Sequence, residues 1–268
     1  MTDALPPHRT WHRGGPRPVL ALHCSLAHSG AYTGLAEALT GLTLTVLDFI
    51  GHGAAPDWDG QADYHAAATA QAVTMATALG QGGPIDLIGH SFGGTVALRI
   101  AVERPDLVRS LVLIEPVFFA AAKVARDPAW DSFIADHREF GALVASGNRP
   151  EAARQFHAIW GNGEPFDALP PRTRAYLADR IHLITAPWPV VLDDAPGLLA
   201  PGRIEAIRVP VLLVEGNRSP DIVSAVNRAL ADRLPKASRM TLPEAGHMLP
   251  ISHPVPLAAL VTAHLAAS

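Results

Sequence analysis

A chain of 268 residues with 21 basic and 25 acidic side chains carries a formal net charge of −4, and its sequence pI lies near 6.3. That balance excludes the basic surplus of a nucleic-acid binder, and 49% hydrophobic with 17% charged residues excludes a disordered chain. No apolar run approaches the roughly 18–20 residues of a membrane span, the N-terminal MTDALPPHRT has no apolar signal segment, and the single cysteine, Cys24, has no intrachain partner.

Such a chain is expected to be a globular, cytoplasmic protein. Along it, short apolar runs that end in polar or Gly-containing turns predict buried strands at 19–23, 42–48, 85–89, 111–114, 209–214 and 239–242. Helical stretches alternate with them. Residues 62–79 are Ala-rich, 92–103 place Val96, Ile100 and Ala101 on one face, 221–234 do the same with Ile222, Val226, Ala229 and Leu230, and 257–265 close the chain. Strand–helix alternation with near-continuous apolar strands predicts an α/β fold, a mostly parallel sheet covered by helices on both faces. Right-handed crossovers then put the functional loops at the C-terminal strand ends.

The rhythm breaks over 116–200, which show helical periodicity and no convincing strand. Candidate helices cover 128–146, 150–160 and 170–185, each with a Pro at or near its start. The segment holds 10 of the 16 aromatic residues, including Trp130, Phe133, Phe156 and Trp160. An apolar helical insertion that begins at a strand end reads as a lid over a substrate pocket, and the plainer alternative is a subdomain with its own small core. On that basis the core comprises 1–115 and 201–268, and the cap 116–200.

The sharpest local signal is Gly89-His90-Ser91-Phe92-Gly93, set between the strand 85–89 and the helix 92–103. This strand–turn–helix context holds a serine on a tight turn with its Oγ exposed, with glycines where a Cβ would clash. There the chain resembles the α/β-hydrolase superfamily over nearly its whole length. His23-Cys24-Ser25 is similar to the family's oxyanion turn, with Cys24 in place of the usual Gly. Asp48-Phe49-Ile50-Gly51-His52-Gly53 is similar to its D-x-R-G-H-G turn, with Ile50 for the arginine. Gly246-His247-Met248 resembles the loop of the catalytic histidine. The insertion stands where many members carry a cap, after the strand that is sixth in the family's order, and the sequence order Ser, acid, His is the expected one.

The resemblance implies a serine hydrolase that cleaves a carboxylic ester or similar acyl compound through an acyl-serine. Ser91 would be the nucleophile, His247 its base, and the amides of Ser25 and Phe92 the oxyanion donors. Trp130, Phe133, Phe156 and Trp160 would meet an apolar or aromatic small-molecule substrate. No metal or organic cofactor is expected, since neither H-E-x-x-H nor a Cys/His cluster with zinc spacing occurs. Hydrolysis of a carbon–carbon bond, lactone opening and perhydrolysis are alternatives on the same fold, and a ligand-binding receptor without turnover is a rival of another class. The Asp-nucleophile chemistry of dehalogenases and epoxide hydrolases is rejected because Ser91 holds that position.

The acid departs from the family's commonest pattern. Most members place it about three residues past a Gly after the seventh strand, here 209–214, where this chain has Gly216 and then Ser219. Asp221 lies two residues further on, and Glu115 ends the strand 111–114, where some members carry their acid. Glu115 is preferred, because a carboxylate at the end of a buried strand needs a partner to offset desolvation, and Asp221 stays the alternative. His23 and His90 are read as turn supports, His52 as stabilising its own turn, and His137, His157 and His182 as solvated helix residues. Arg126, Arg138, Arg154, Arg172 and Arg174 of the insertion would suit a substrate carboxylate but are commonest as plain helix-surface charges. Cys24 is the one alternative nucleophile.

Overall fold

The computed structural model describes residues 5–268, so the first four residues of the N-terminal stretch read for a signal segment lie outside it. Six strands form one sheet: β1 (His8–Leu22), β2 (Leu42–Leu47), β3 (Ile85–His90), β4 (Val108–Ile114), β5 (Val211–Gly216) and β6 (Ala237–Leu242). Their order is β2-β1-β3-β4-β5-β6. The pairings from β1–β3 to β5–β6 are all parallel. No helix among the described residues is long and apolar enough to cross a membrane.

Both faces of the central strands are buried, and the period of two along them sorts their side chains. Leu20, Leu22, Leu87, Leu111, Leu113, Val211 and Leu213 join one core, while Val19, Ala21, Ile88, Val112, Ile114, Leu212 and Val214 join the other. The first core is covered by α2 (Tyr64–Gly80), α3 (Phe92–Glu103) and α10 (Asp221–Ala231). The second is covered by α1 (Thr33–Ala38) and α12 (Pro254–Ala266). In α2, Ala68, Ala72 and Ala76 repeat every fourth residue, a small buried stripe that lets the helix lie close on the sheet, and Asp63 caps its start by accepting from the Ala66 amide.

β1 is longer than the predicted run 19–23. Its second half runs parallel to β2, from Pro18 opposite Thr43 to Leu22 opposite Leu47, whereas its first half runs the other way, from His8 opposite Leu47 to Arg13 opposite Leu42. The chain therefore wraps β2 on both edges, crossing its start at Gly15, where a Cβ would collide with the Gly41 carbonyl. The polar, half-exposed 8–13 stretch hides this edge segment from a reading of hydrophobic runs.

At the far end of the sheet from the catalytic-type turn, the fully buried Asp86 carboxylate accepts from Arg17, Arg109 and Ser110. Burial alone would raise its pKa, but the two guanidinium groups and the hydroxyl hold it below the usual range. Asp86→Ala leaves two guanidinium groups without their shared acceptor, and the cost in urea denaturation is about 2–3 kcal/mol, reduced from the fully buried case because both arginines keep some water contact. A midpoint unchanged from wild type would mean that the cluster is merely superficial.

Between β4 and β5 the chain forms helices only: α4 (Ala120–Ala125), α5 (Ala129–Ala145), α6 (Arg149–Trp160), α7 (Pro171–Arg180), α8 (His182–Thr185) and α9 (Trp188–Val191), with a short 3-10 turn at Phe166–Ala168. In this sheet the insertion follows the fourth strand of the chain, which the family's order counts as the sixth. It carries a small core of its own around Phe140, Ala152, Ala153, Phe166, Leu169, Ile181 and Ile184, closed by Leu26 from the β1 end. The last short helix before α12 is α11 (Leu249–Ser252).

Candidate active site

The direction of strand addition reverses between β1 and β3, and in such sheets the crevice opens beyond the C-terminal ends of those strands. Ser91 stands there, between β3 and α3, with φ 56° and ψ −118°, a region that L-residues occupy only at a cost of order 1–3 kcal/mol. Its surroundings impose that conformation. The Ser91 amide donates to the Ile114 carbonyl at 2.9 Å, tying the turn to the end of β4. A Cβ at Gly89 would run into the Gly93 carbonyl, and one at Gly93 into the Leu22 carbonyl at the end of β1. The first glycine thus serves the turn itself, and the second serves its seat against the neighbouring strand.

Three side chains converge on this turn. His247, in the loop between β6 and α11, places Nε2 3.0 Å from Ser91 Oγ and Nδ1 2.6 Å from Glu115 Oε2. Glu115 is fully buried, and its Oε1 accepts from the Gly216 amide at 2.7 Å and the Ser219 hydroxyl at 2.5 Å. Ser219, the position expected for the family's usual acid, donates instead to the Glu115 carboxylate. Asp221 instead occupies the first turn of α10 after Pro220, exposed, at the rim of a separate cavity. It favours the positive end of that helix and does not touch His247.

The supporting histidines are buried and neutral. His90 Nε2 donates to the His247 carbonyl at 2.8 Å and so fixes the loop that carries the imidazole. His23 bridges the Cys24 carbonyl and the Phe49 amide, and burial pushes it down to about 4. His52 accepts from the Leu26 amide at 2.9 Å, so it braces the Cys24–Ser25 turn as well as its own, and burial lowers it to about 3. Burial pushes the Cys24 thiol up to about 12, which leaves it protonated and a poor nucleophile at neutral pH.

A cavity opens over Ser91. Ser25 and Phe92 border it on the core side, Phe119, Phe156, Trp160 and Trp188 on the side of the insertion. Among the described residues, neither the Ser25 nor the Phe92 amide has a hydrogen-bond partner. Of the four aromatic residues expected at the substrate, Phe156 and Trp160 line this cavity, and the Trp160 ring meets that of His247 edge-on at 4.7 Å. Phe133 lies one cavity further out. Trp130 lines neither; it packs 6.0 Å from Phe133 with Lys123 above its ring. Phe119, Val117, Trp188 and Val191 were missed because they sit in short helices or turns with no long periodic signal.

His137 corrects the expectation of a solvated helix residue. Its ring is buried between Phe119, Phe133, Phe140 and Trp188. None of the insertion's arginines borders the cavity over Ser91, and Arg154 and Arg174 pair with Asp167 on the surface.

The chain is similar to known proteins over most of its length. A family described as the alpha/beta hydrolase fold matches residues 17–254. Lipase LipV of Mycobacterium tuberculosis is 30% identical over 263 residues, covering 94% of each chain. A pimeloyl-acyl-carrier-protein methyl ester esterase of Chromobacterium violaceum is 29% identical, covering 92% of this chain and 93% of its own. A hydrolase from Pseudomonas aeruginosa shares the fold with a TM-score of 0.72 at 21% identity, over 96% of this chain and 93% of that one. With a buried Ser91–His247–Glu115 relay at the family's strand ends and the family match spanning most of its length, the chain belongs to the α/β-hydrolase fold family and is a hydrolase.

Proposed function

We propose that this protein hydrolyses a carboxylic ester with an apolar or aromatic body through an acyl-enzyme on Ser91. The observation that carries the reading is the continuous relay from Ser91 Oγ through His247 to Glu115. As Oγ attacks the ester carbonyl, His247 Nε2 takes its proton, and Glu115 stabilises the resulting imidazolium while holding its tautomer. The carbonyl oxygen, now negative, takes hydrogen bonds from the Ser25 and Phe92 amides at the positive end of α3. His247 then passes the proton to the departing alcohol, and the same steps with water release the acid. The helices of 116–200 act as a cap, whose aromatic side chains wall the substrate from solvent.

The relatives that are a lipase and a methyl ester esterase support ester cleavage. A panel of p-nitrophenyl esters of increasing acyl length, run beside lactone and diketone substrates, tests it. Turnover confined to lactones or diketones would shift the reading to those alternatives, and rapid fluorophosphonate labelling with no turnover at all would favour a receptor. In the same panel, Phe156→Ala and Trp160→Ala shift the ratio of kcat/KM between short and long esters by roughly 1–3 kcal/mol. Trp130→Ala, away from the cavity, leaves that ratio within about twofold. An unchanged profile in all three variants would make the helices a structural addition only.

A further inference from the structure

Hydrolysis leaves three polar groups of the insertion without a task. His137 lines both the cavity over Ser91 and a second one of about 810 Å³ beside it. Its ring is 9% exposed, with the centroids of Phe133 and Trp188 at 4.4 and 4.9 Å. No hydrogen bond from a described residue reaches either nitrogen, and burial alone pushes it down to about 4, so it stands neutral with one donor and one acceptor. Gln155 of α6 lines the second cavity, and its buried Oε1 has no partner. The Trp188 indole N–H, on a wall of the first cavity, is buried and unpartnered too.

Each buried polar group left unpaired costs about 1–3 kcal/mol, and His137 shares one cavity wall with Trp188 and the other with Gln155. A hydrocarbon substrate would leave all three unpaired. A carboxylate finds no lysine or arginine among the residues lining either cavity, and Asp136 and Asp221 at the second one repel it. We propose that the substrate carries a hydroxyl remote from the scissile ester, which donates to Gln155 Oε1 and accepts from the ring N–H of His137 where the two cavities meet. The inference rests on ester hydrolysis at Ser91 and names the substrate class that this site selects. It makes His137 a specificity-determining residue, with the apolar body of the substrate lying between Phe156, Trp160 and Trp188.

The test compares p-nitrophenyl esters of 6-hydroxyhexanoic, 7-hydroxyheptanoic and 8-hydroxyoctanoic acids with those of hexanoic, heptanoic and octanoic acids. At least one hydroxy ester is expected to exceed its alkyl partner by about tenfold or more in kcat/KM, because a site built around hydrogen-bonding groups rejects the analogue that leaves them unpaired. The ratio, measured within each variant, falls to near one in His137→Phe, which keeps the aromatic packing, and persists in part in His137→Gln, which keeps a donor and an acceptor. Gln155→Leu gives a second reading should His137→Phe not fold. Alkyl esters turned over as fast as every hydroxy partner, or a preference untouched by both His137→Phe and Gln155→Leu, would overturn the proposal while leaving ester hydrolysis in place. No turnover of any ester, with no fluorophosphonate labelling of Ser91, would instead remove both.

Discussion

Glu115→Gln lowers kcat on a good p-nitrophenyl ester by about 10⁴-fold, while Asp221→Asn leaves it within about twofold. The hydrogen bonds around Glu115 supply the reason. Gly216 and Ser219 both donate to Oε1, so a glutamine must turn its carbonyl oxygen toward them and its amide nitrogen toward His247. That nitrogen can only donate, so it demands a bare Nδ1 and drives the proton to Nε2. The Nε2–H tautomer has no lone pair for the Ser91 hydroxyl. Asp221, exposed on the first turn of α10, loses only a favourable helix-end charge when neutralised. A large loss in Asp221→Asn with a small one in Glu115→Gln would assign the acid to Asp221 and require the 216–220 loop to turn inward.

Ser91→Ala removes hydrolysis by about 10⁶-fold in kcat, and the protein keeps its fold, its stability changing by less than about 1 kcal/mol. The hydroxyl packs little, and alanine keeps a Cβ at the same positive φ, so the turn's strain is carried over rather than relieved. Ser91→Gly, free of that Cβ, is at least as stable as Ser91→Ala and equally inactive. Chemical denaturation and single-turnover kinetics read the two effects separately. Turnover within tenfold of wild type in Ser91→Ala would move the nucleophile to Cys24, against its protonated, buried thiol.

What could be read from the chain alone is what local pattern dictates. The helix Phe92–Glu103 has the bounds expected of it, because Ser91 starts it at a turn and apolar positions recur along its face. The strands of the core are each a few apolar residues ended by polar turns, and the turn at Ser91 declares itself through glycines that only a close backbone approach requires. Ser91 and His247 drew attention for the same reason: each stands in a short motif that resembles one of the family's.

Choices between distant residues were different. Glu115 and Asp221 both lie near the C-terminal end of a buried strand, and nothing in either one's neighbours in sequence says which carboxylate meets His247, 132 residues away from Glu115 in the chain. That depends on how Ser219 and the Gly216 amide are presented to the end of β4. Likewise the aromatic residues of the insertion are alike in composition, yet Trp160 faces His247 and Trp130 faces away. A helix's apolar period names the side chains that leave water, and it is silent on whether they enter a core or a cavity. Sequence therefore determined the core strands, the turn that carries Ser91 and the loop that carries His247, each set by contacts within a few residues. Which carboxylate meets His247, which side chains wall the cavity and that His137 is buried were decided only by tertiary packing, because they depend on which surfaces of separate elements come together.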